Sequence, residues 1–133
     1  MIVADTNLLV HLFAHGPHTS EAEAVLVKDR SWAAPSLWRS EFRNALVGLF
    51  RRGDVTRQEA DRLVEAAEAW MSGREYAVES RAVLRLAAES GCSAYDCEFV
   101  SVAGDLGVSL VTTDRELLRA FPSIAIHPKM FLA

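Results

Sequence analysis

MIVADTNLLV (residues 1–10) sets three apolar residues against a bare acid, followed by Thr6, Asn7 and a second apolar run. A short continuous apolar stretch closed by a polar turn reads as a strand covered on both faces, as the strands of parallel sheets are. The charge at its end needs a reason. Asp5 is either a plain strand terminator, with Asn7 capping the next helix, or part of a site at the strand's carboxyl end, where parallel sheets gather their ligands.

Outward from this stretch, short β-rich runs alternate with longer helical patterns, which predicts a single α/β domain over 1–133 with a central, mainly parallel sheet of four to five strands. GPHTS breaks the first helix, and Thr19 or Ser20 can cap a second one to about Asp29. WAAP (32–35) is a strand closed by proline, after which Ser36 can cap a helix running to Arg52 and stopping at Gly53. Thr56 with Glu59 has the spacing of a capping box for a helix to about Met71. EYAV (75–78) is a weak strand, and a helix then runs to Ser90 and Gly91. Helix 94–105 leads into SLVTT (109–113), a short helix spans 115–120, and SIAI (123–126) is an edge strand.

Half of the 133 residues are apolar, enough for a core without staples. Cys92 and Cys97 are too few and too close for a disulfide framework, which suits a reducing cytoplasm. No run approaches the roughly 20 apolar residues of a membrane span, and the N-terminus lacks the basic region of a signal peptide. A net charge of −4 argues against non-specific coating of nucleic acid. The basic side chains Arg39, Arg43, Arg51 and Arg52 nevertheless cluster on one helix, as a phosphate-binding face or as an ordinary solvated one.

Strands of a parallel sheet point the same way, so Asp5 and Asp114, which follow the first and the SLVTT strands, share one edge. Glu41 lies in the second turn of the helix leaving WAAP from that same edge. Asp96 begins a helix that runs antiparallel to the strand after it. At about 1.5 Å per helical residue and 3.3 Å per strand residue, helix start and strand end meet at one level. Each acid also has a capping role open to it: Asp96 with Ser93, Asp114 ahead of RELLRA. Glu41 is different. Stepping about 100° per residue places it in the arc of Leu37, Trp38, Phe42, Ala45, Leu46 and Leu49, away from Arg39, Ser40, Arg43 and Asn44. A charge there costs several kcal/mol unless it is paired or bound to metal. Arg52 or Lys129 could pair with it; a divalent cation would also relieve the repulsion among four acids, and hard carboxylate ligands suit Mg²⁺ or Mn²⁺.

In order and spacing, MIVADTNLLV, SEFRNALVGLFRRG and SAYDCEFVSVAGDLGVSLVTTDRELL resemble the PIN-domain ribonucleases, in particular VapC-type toxins of toxin-antitoxin modules. The resemblance covers nearly the whole chain. It implies a three-layer PIN-like fold, Asp5, Glu41, Asp96 and Asp114 as catalytic acids, and Asp5, Asp96 and Asp114 as metal ligands. Asn7 and Thr112 would hydrogen-bond carboxylates or water around them. It further implies a Mg²⁺- or Mn²⁺-dependent endoribonuclease, usually a homodimer, blocked by a small antitoxin protein. On this reading Glu41 ligates metal or orients water, Arg39 and Arg43 meet RNA phosphates, and in-line attack leaves a 5′-phosphate and a 3′-hydroxyl.

Two other classes compete. A phosphoacceptor signalling domain needs paired acids after the first strand and an acceptor Asp after a central one; Thr6 follows Asp5, and WAAP and EYAV end without such an Asp. A partner-binding module that keeps the fold without turnover remains open. His11 and His15, at i and i+4, lack a third ligand on their face. Cys97 reads as a packing residue, and Trp32, Trp38, Phe42 and the Leu8, Leu9, Leu12, Phe13 stripe read as core, the stripe with a dimer face as its alternative.

Overall fold

The computed structural model describes residues 1–133. Five short strands, β1 (Ile2–Ala4), β2 (Trp32–Pro35), β3 (Glu75–Tyr76), β4 (Leu110–Val111) and β5 (Ala125–Ile126), form one sheet in the order β3-β2-β1-β4-β5. All four pairings are parallel. β1 is central and completely buried, which explains why IVA carries no alternating polar residues. From β1 the chain builds outward to β2 and β3, then returns to add β4 on the other side, so the switch in direction falls between β1 and β4.

The helices are α1 (Thr6–Phe13), α2 (Thr19–Lys28), α3 (Trp38–Arg51), α4 (Arg57–Met71), α5 (Ser80–Ser90), α6 (Ala94–Leu106), α7 (Arg115–Ala120) and α8 (Pro128–Leu132). Helix α6 packs on α5 and against β1, β2 and β4, while α1, α3 and α4 pack on one another to form the other helical layer. Aromatic edges tie that layer to the sheet: Trp70 of α4 meets both Trp32 and Phe13, and Phe42 meets Phe13 and Trp38. Trp32, Trp38, Phe42, Leu8 and Leu9 are buried, so their side chains serve the core rather than base stacking or a dimer face. No helix is long and apolar enough to cross a membrane.

Local punctuation follows the sequence in most places. Thr56 and Glu59 form the full capping box, and Gly91 ends α5 at φ +75°, a conformation an L side chain resists. Three readings change and one element is new. Ser36 makes no side-chain cap, and α3 starts at Trp38 out of a turn. Thr19 lies just inside α2, with its hydroxyl accepting from Gly16 N and donating to His11 O, so it fastens the α1–α2 turn instead of capping. The SLVTT, EYAV and SIAI strands shrink to two residues each, although Thr112 N still donates to Ile126 O at 3.0 Å. The C-terminal helix α8 has only five residues, too few for a periodic pattern to be read.

Candidate active site

The first turn of α1 turns on Asp5. Its backbone N–H donates to Val111 O across the β1–β4 gap at 3.1 Å, fixing the residue at the sheet's switch point. The carboxylate is the N-cap, with Oδ1 accepting from Thr6 N at 2.8 Å and Oδ2 from the Thr112 hydroxyl at 2.5 Å. Thr112 is buried, and its oxygen also accepts from Asp114 N at 3.0 Å. One threonine therefore locks the two strand-end acids together. Asp114 caps α7 by accepting from Leu117 N at 3.0 Å.

Glu41 reaches the same edge from α3, where the Thr6 hydroxyl donates to its Oε1 at 2.8 Å. Asp96 arrives from the first turn of α6, its backbone N–H satisfied by Ser93 Oγ at 3.0 Å. The four acids feel one another. Burial raises the pKa of Asp5 first, against the hydrogen bonds from Thr112 and Thr6, and the Asp114 charge raises it further. Burial likewise raises Glu41, with Asp5, Asp96 and Glu98 adding repulsion against the Thr6 hydrogen bond. Asp96 is raised by burial, then by Asp114 and Asp5. No Lys, Arg or His forms an ion pair with any of them. Neither Arg52 nor Lys129 compensates Glu41; Thr6 does, as a neutral donor.

These donors fit a hard divalent cation in chemistry. No three His, Cys, Asp or Glu side chains are grouped so as to hold a metal ion between them, but Mg²⁺ is ordinarily held by one or two carboxylates, with waters and substrate phosphate completing its shell. Both Asp5 oxygens accept only one hydrogen bond each and retain a lone pair. Asp5 with one of its acidic neighbours, Asp96 or Asp114, would hold the ion.

Several expected site residues fall elsewhere. Asn7 neither caps α1 nor bonds a carboxylate; Asp5 is the cap, and Asn7 sits exposed inside the helix. Arg39 is spent on Glu75, to which Nε and Nη2 donate at 2.7 and 2.9 Å, with Glu68 at 3.4 Å. Arg43 lies on the same outer face of α3, 3.8 Å from Glu68. Both arginines thus face α4 and β3, because Arg39 and Arg43 are one turn apart and two residues out of phase with Glu41. His15 lies beyond the end of α1, so the i, i+4 relation with His11 is not realised; His11 meets the His18 ring at a 44° tilt instead, centroids 4.8 Å apart. Buried Cys97 has its thiol pKa raised by burial, against nucleophilic use. Thr6, Glu98 and Glu116 were missed. Thr6 had one usable signal, a hydroxyl placed at the first helical position immediately after the strand-end acid.

The PIN domain family model matches residues 2–121, and the chain belongs to that family. It is 27% identical over 128 residues to Ribonuclease VapC3 of Pyrobaculum aerophilum, covering 92% of this chain and 96% of that protein. The crystal structure of PAE2754 from the same organism superposes with a TM-score of 0.74 at 28% identity, over 98% of this chain and 91% of the other. FitAcB from Neisseria gonorrhoeae, at 15% identity, shares the fold with a TM-score of 0.75, over 97% of this chain and 99% of the other.

Proposed function

We propose that this chain is a metal-dependent endoribonuclease of the VapC type, the toxin of a toxin-antitoxin pair. The observation that carries the reading is the convergence of Asp5, Glu41, Asp96 and Asp114 at the β1–β4 switch point with no basic partner. Repulsion of this kind is retained where a cation is to be bound, and the relation to a protein named Ribonuclease VapC3 supplies the chemistry. Mg²⁺ or Mn²⁺ held by Asp5 with Asp96 or Asp114 would lower the pKa of bound water and offset charge building on the scissile phosphate. The protein's own part is positional. Thr112 holds the Asp5 and Asp114 ends in register, and Thr6 fixes Glu41 through Oε1, which leaves its other oxygen free as an acceptor for the attacking water's proton. In-line attack then leaves a 5′-phosphate and a 3′-hydroxyl. A small antitoxin as inhibitor, a homodimer as working unit and a cytoplasmic setting belong to the same proposal.

The test is cleavage of RNA by purified protein with Mn²⁺ or with EDTA, beside Asp5→Asn and Asp96→Asn. Cutting that persists in EDTA and in both variants would overturn it. Thermal melts separate the enzyme from a non-catalytic module: Mn²⁺ at 100 times its Kd stabilises a binder by about 2.7 kcal/mol, a rise in Tm of about 10 °C. No rise would favour the module.

A further inference from the structure

The large apolar side chains left exposed are Met1, Val27, Leu84, Tyr95 and Met130, and Tyr95 is the aromatic one among them. Single exposed apolar residues are ordinary on a protein surface. What sets Tyr95 apart is its place: it is the second residue of α6, immediately before Asp96. Its ring is 64% exposed and takes part in none of the aromatic contacts that tie the helices to the sheet. Its backbone is nevertheless fixed, because Ser93 caps this turn by accepting from Asp96 N at 3.0 Å.

Helix geometry says where such a ring goes. The Cα–Cβ bonds of a helix tilt toward its N-terminus, and in the first turn no earlier turn lies beneath them, so a large side chain overhangs the helix end. The α6 start is the end that meets the acidic edge of the sheet. Glu98, three residues on and so on the same side of the helix, is close enough to Glu41 to repel it. Tyr95 therefore stands on the side of α6 that faces α3 across the site.

Resting on the nuclease reading, we propose that the Tyr95 ring is the platform on which the RNA base next to the scissile phosphate stacks, and that it sets which base is accepted there. Unpaired bases are held by stacking on aromatic side chains, a contact that needs no charge. A neutral contact is what this rim can offer beyond its cation: the acids repel phosphate, and Arg39 and Arg43 are already held by Glu75 and Glu68. Stacking accepts any base and favours the larger face of a purine, so the preference it imposes is graded.

The measurement is a base-removal scan by fluorescence anisotropy. A labelled twelve-nucleotide RNA of mixed sequence and its singly abasic versions are titrated with the full chain made cleavage-deficient by Asp5→Asn. One abasic position beside the cleaved bond should weaken binding about fivefold or more. Tyr95→Ala should weaken the intact RNA by as much and lose its sensitivity to that position. Tyr95→Phe should restore both, and Tyr95→Leu, apolar but without a ring, should restore neither. Val27→Ala, exposed near the Asp29 end of α2 that bonds the N-terminus, should stay within about twofold of the parent. With the acids intact and Mn²⁺ present, Tyr95→Ala should raise KM more than it lowers kcat and erase the purine preference at that position. Equal affinity in Tyr95→Ala would overturn the proposal, as would full rescue by Tyr95→Leu or abasic sensitivity that survives Tyr95→Ala. So would a Tyr95→Ala protein that binds RNA normally but releases a co-expressed protein partner, which would make the ring a protein contact. Mn²⁺-dependent cleavage with an unaltered KM in Tyr95→Ala sinks the platform and keeps the nuclease. Tyr95-dependent stacking without Mn²⁺-dependent cutting does the reverse.

Discussion

Helix α3 carries charge on two faces and treats them oppositely. On the outer face Arg39 clasps Glu75 with two hydrogen bonds, Trp38 Nε1 adds a third at 2.8 Å, and Glu68 completes the pairing. On the inner face, two residues away, Glu41 meets three other acids and a single hydroxyl. The first arrangement holds α3 to β3; the second works against the metal-free fold. Like charge without an ion-pair partner at a sheet's switch point supports the proposed site on the inner face, and satisfied charge serves packing on the outer one.

The largest effect expected at either face is loss of RNA cleavage in Asp5→Asn or Asp96→Asn, by about 100-fold or more. The contrast requires that Asp96→Asn melt no lower than the parent in EDTA, because it removes repulsion, and a large drop in Tm would mean the acids are structural. At the outer face Glu75→Ala should cost about 2 kcal/mol in urea unfolding, since it strands the Trp38 indole N–H and frees Arg39. Cleavage by folded Glu75→Ala protein should be close to normal.

Acid titration of the metal-free protein separates the faces by sign. Asp5, Glu41 and Asp96 have raised pKa values, so the folded state takes up protons before the unfolded state does. Stability therefore rises as pH falls through those raised values towards their ordinary 3.8 to 4.5. Glu75 is lowered, chiefly by its hydrogen bond from Arg39, so its contribution is present above 4.5 and is lost as pH drops through its folded value. Tm in EDTA should pass through a maximum on acidification. Asp5→Asn with Glu41→Gln should flatten the rise, and Glu75→Gln the fall. The smallest effect belongs to Thr6→Val, which removes one hydrogen bond worth about 1 kcal/mol and should slow cleavage about three- to tenfold through Glu41. An unchanged rate would mean that Glu41 needs no positioning.

The order of elements, the parallel sheet and the four acids were legible in the chain, because a buried parallel strand must be continuously apolar and a strand-end acid then stands out against it. IVA before Asp5 is the clearest case. What neighbouring side chains do with their polar groups was less legible. Asn7 looked like a cap and a carboxylate partner, but Asp5 folds back on its own helix and takes the cap, leaving Asn7 exposed within α1. Arg39 and Arg43 looked available to phosphate because Glu68 and Glu75 come close only once α4 and β3 have docked on α3. Thr112 does donate to a carboxylate, as the family resemblance implied, whereas the partner of Thr6 could not be read from the chain, since a hydrogen bond spanning 35 residues has no local signature.

The sequence by itself determined that acids end the strands and that one glutamate sits on an apolar helix stripe, since periodicity and residue chemistry are local properties. Only the tertiary structure decided that β4 returns beside β1. That choice of neighbour brings Asp5 and Asp114 to one threonine.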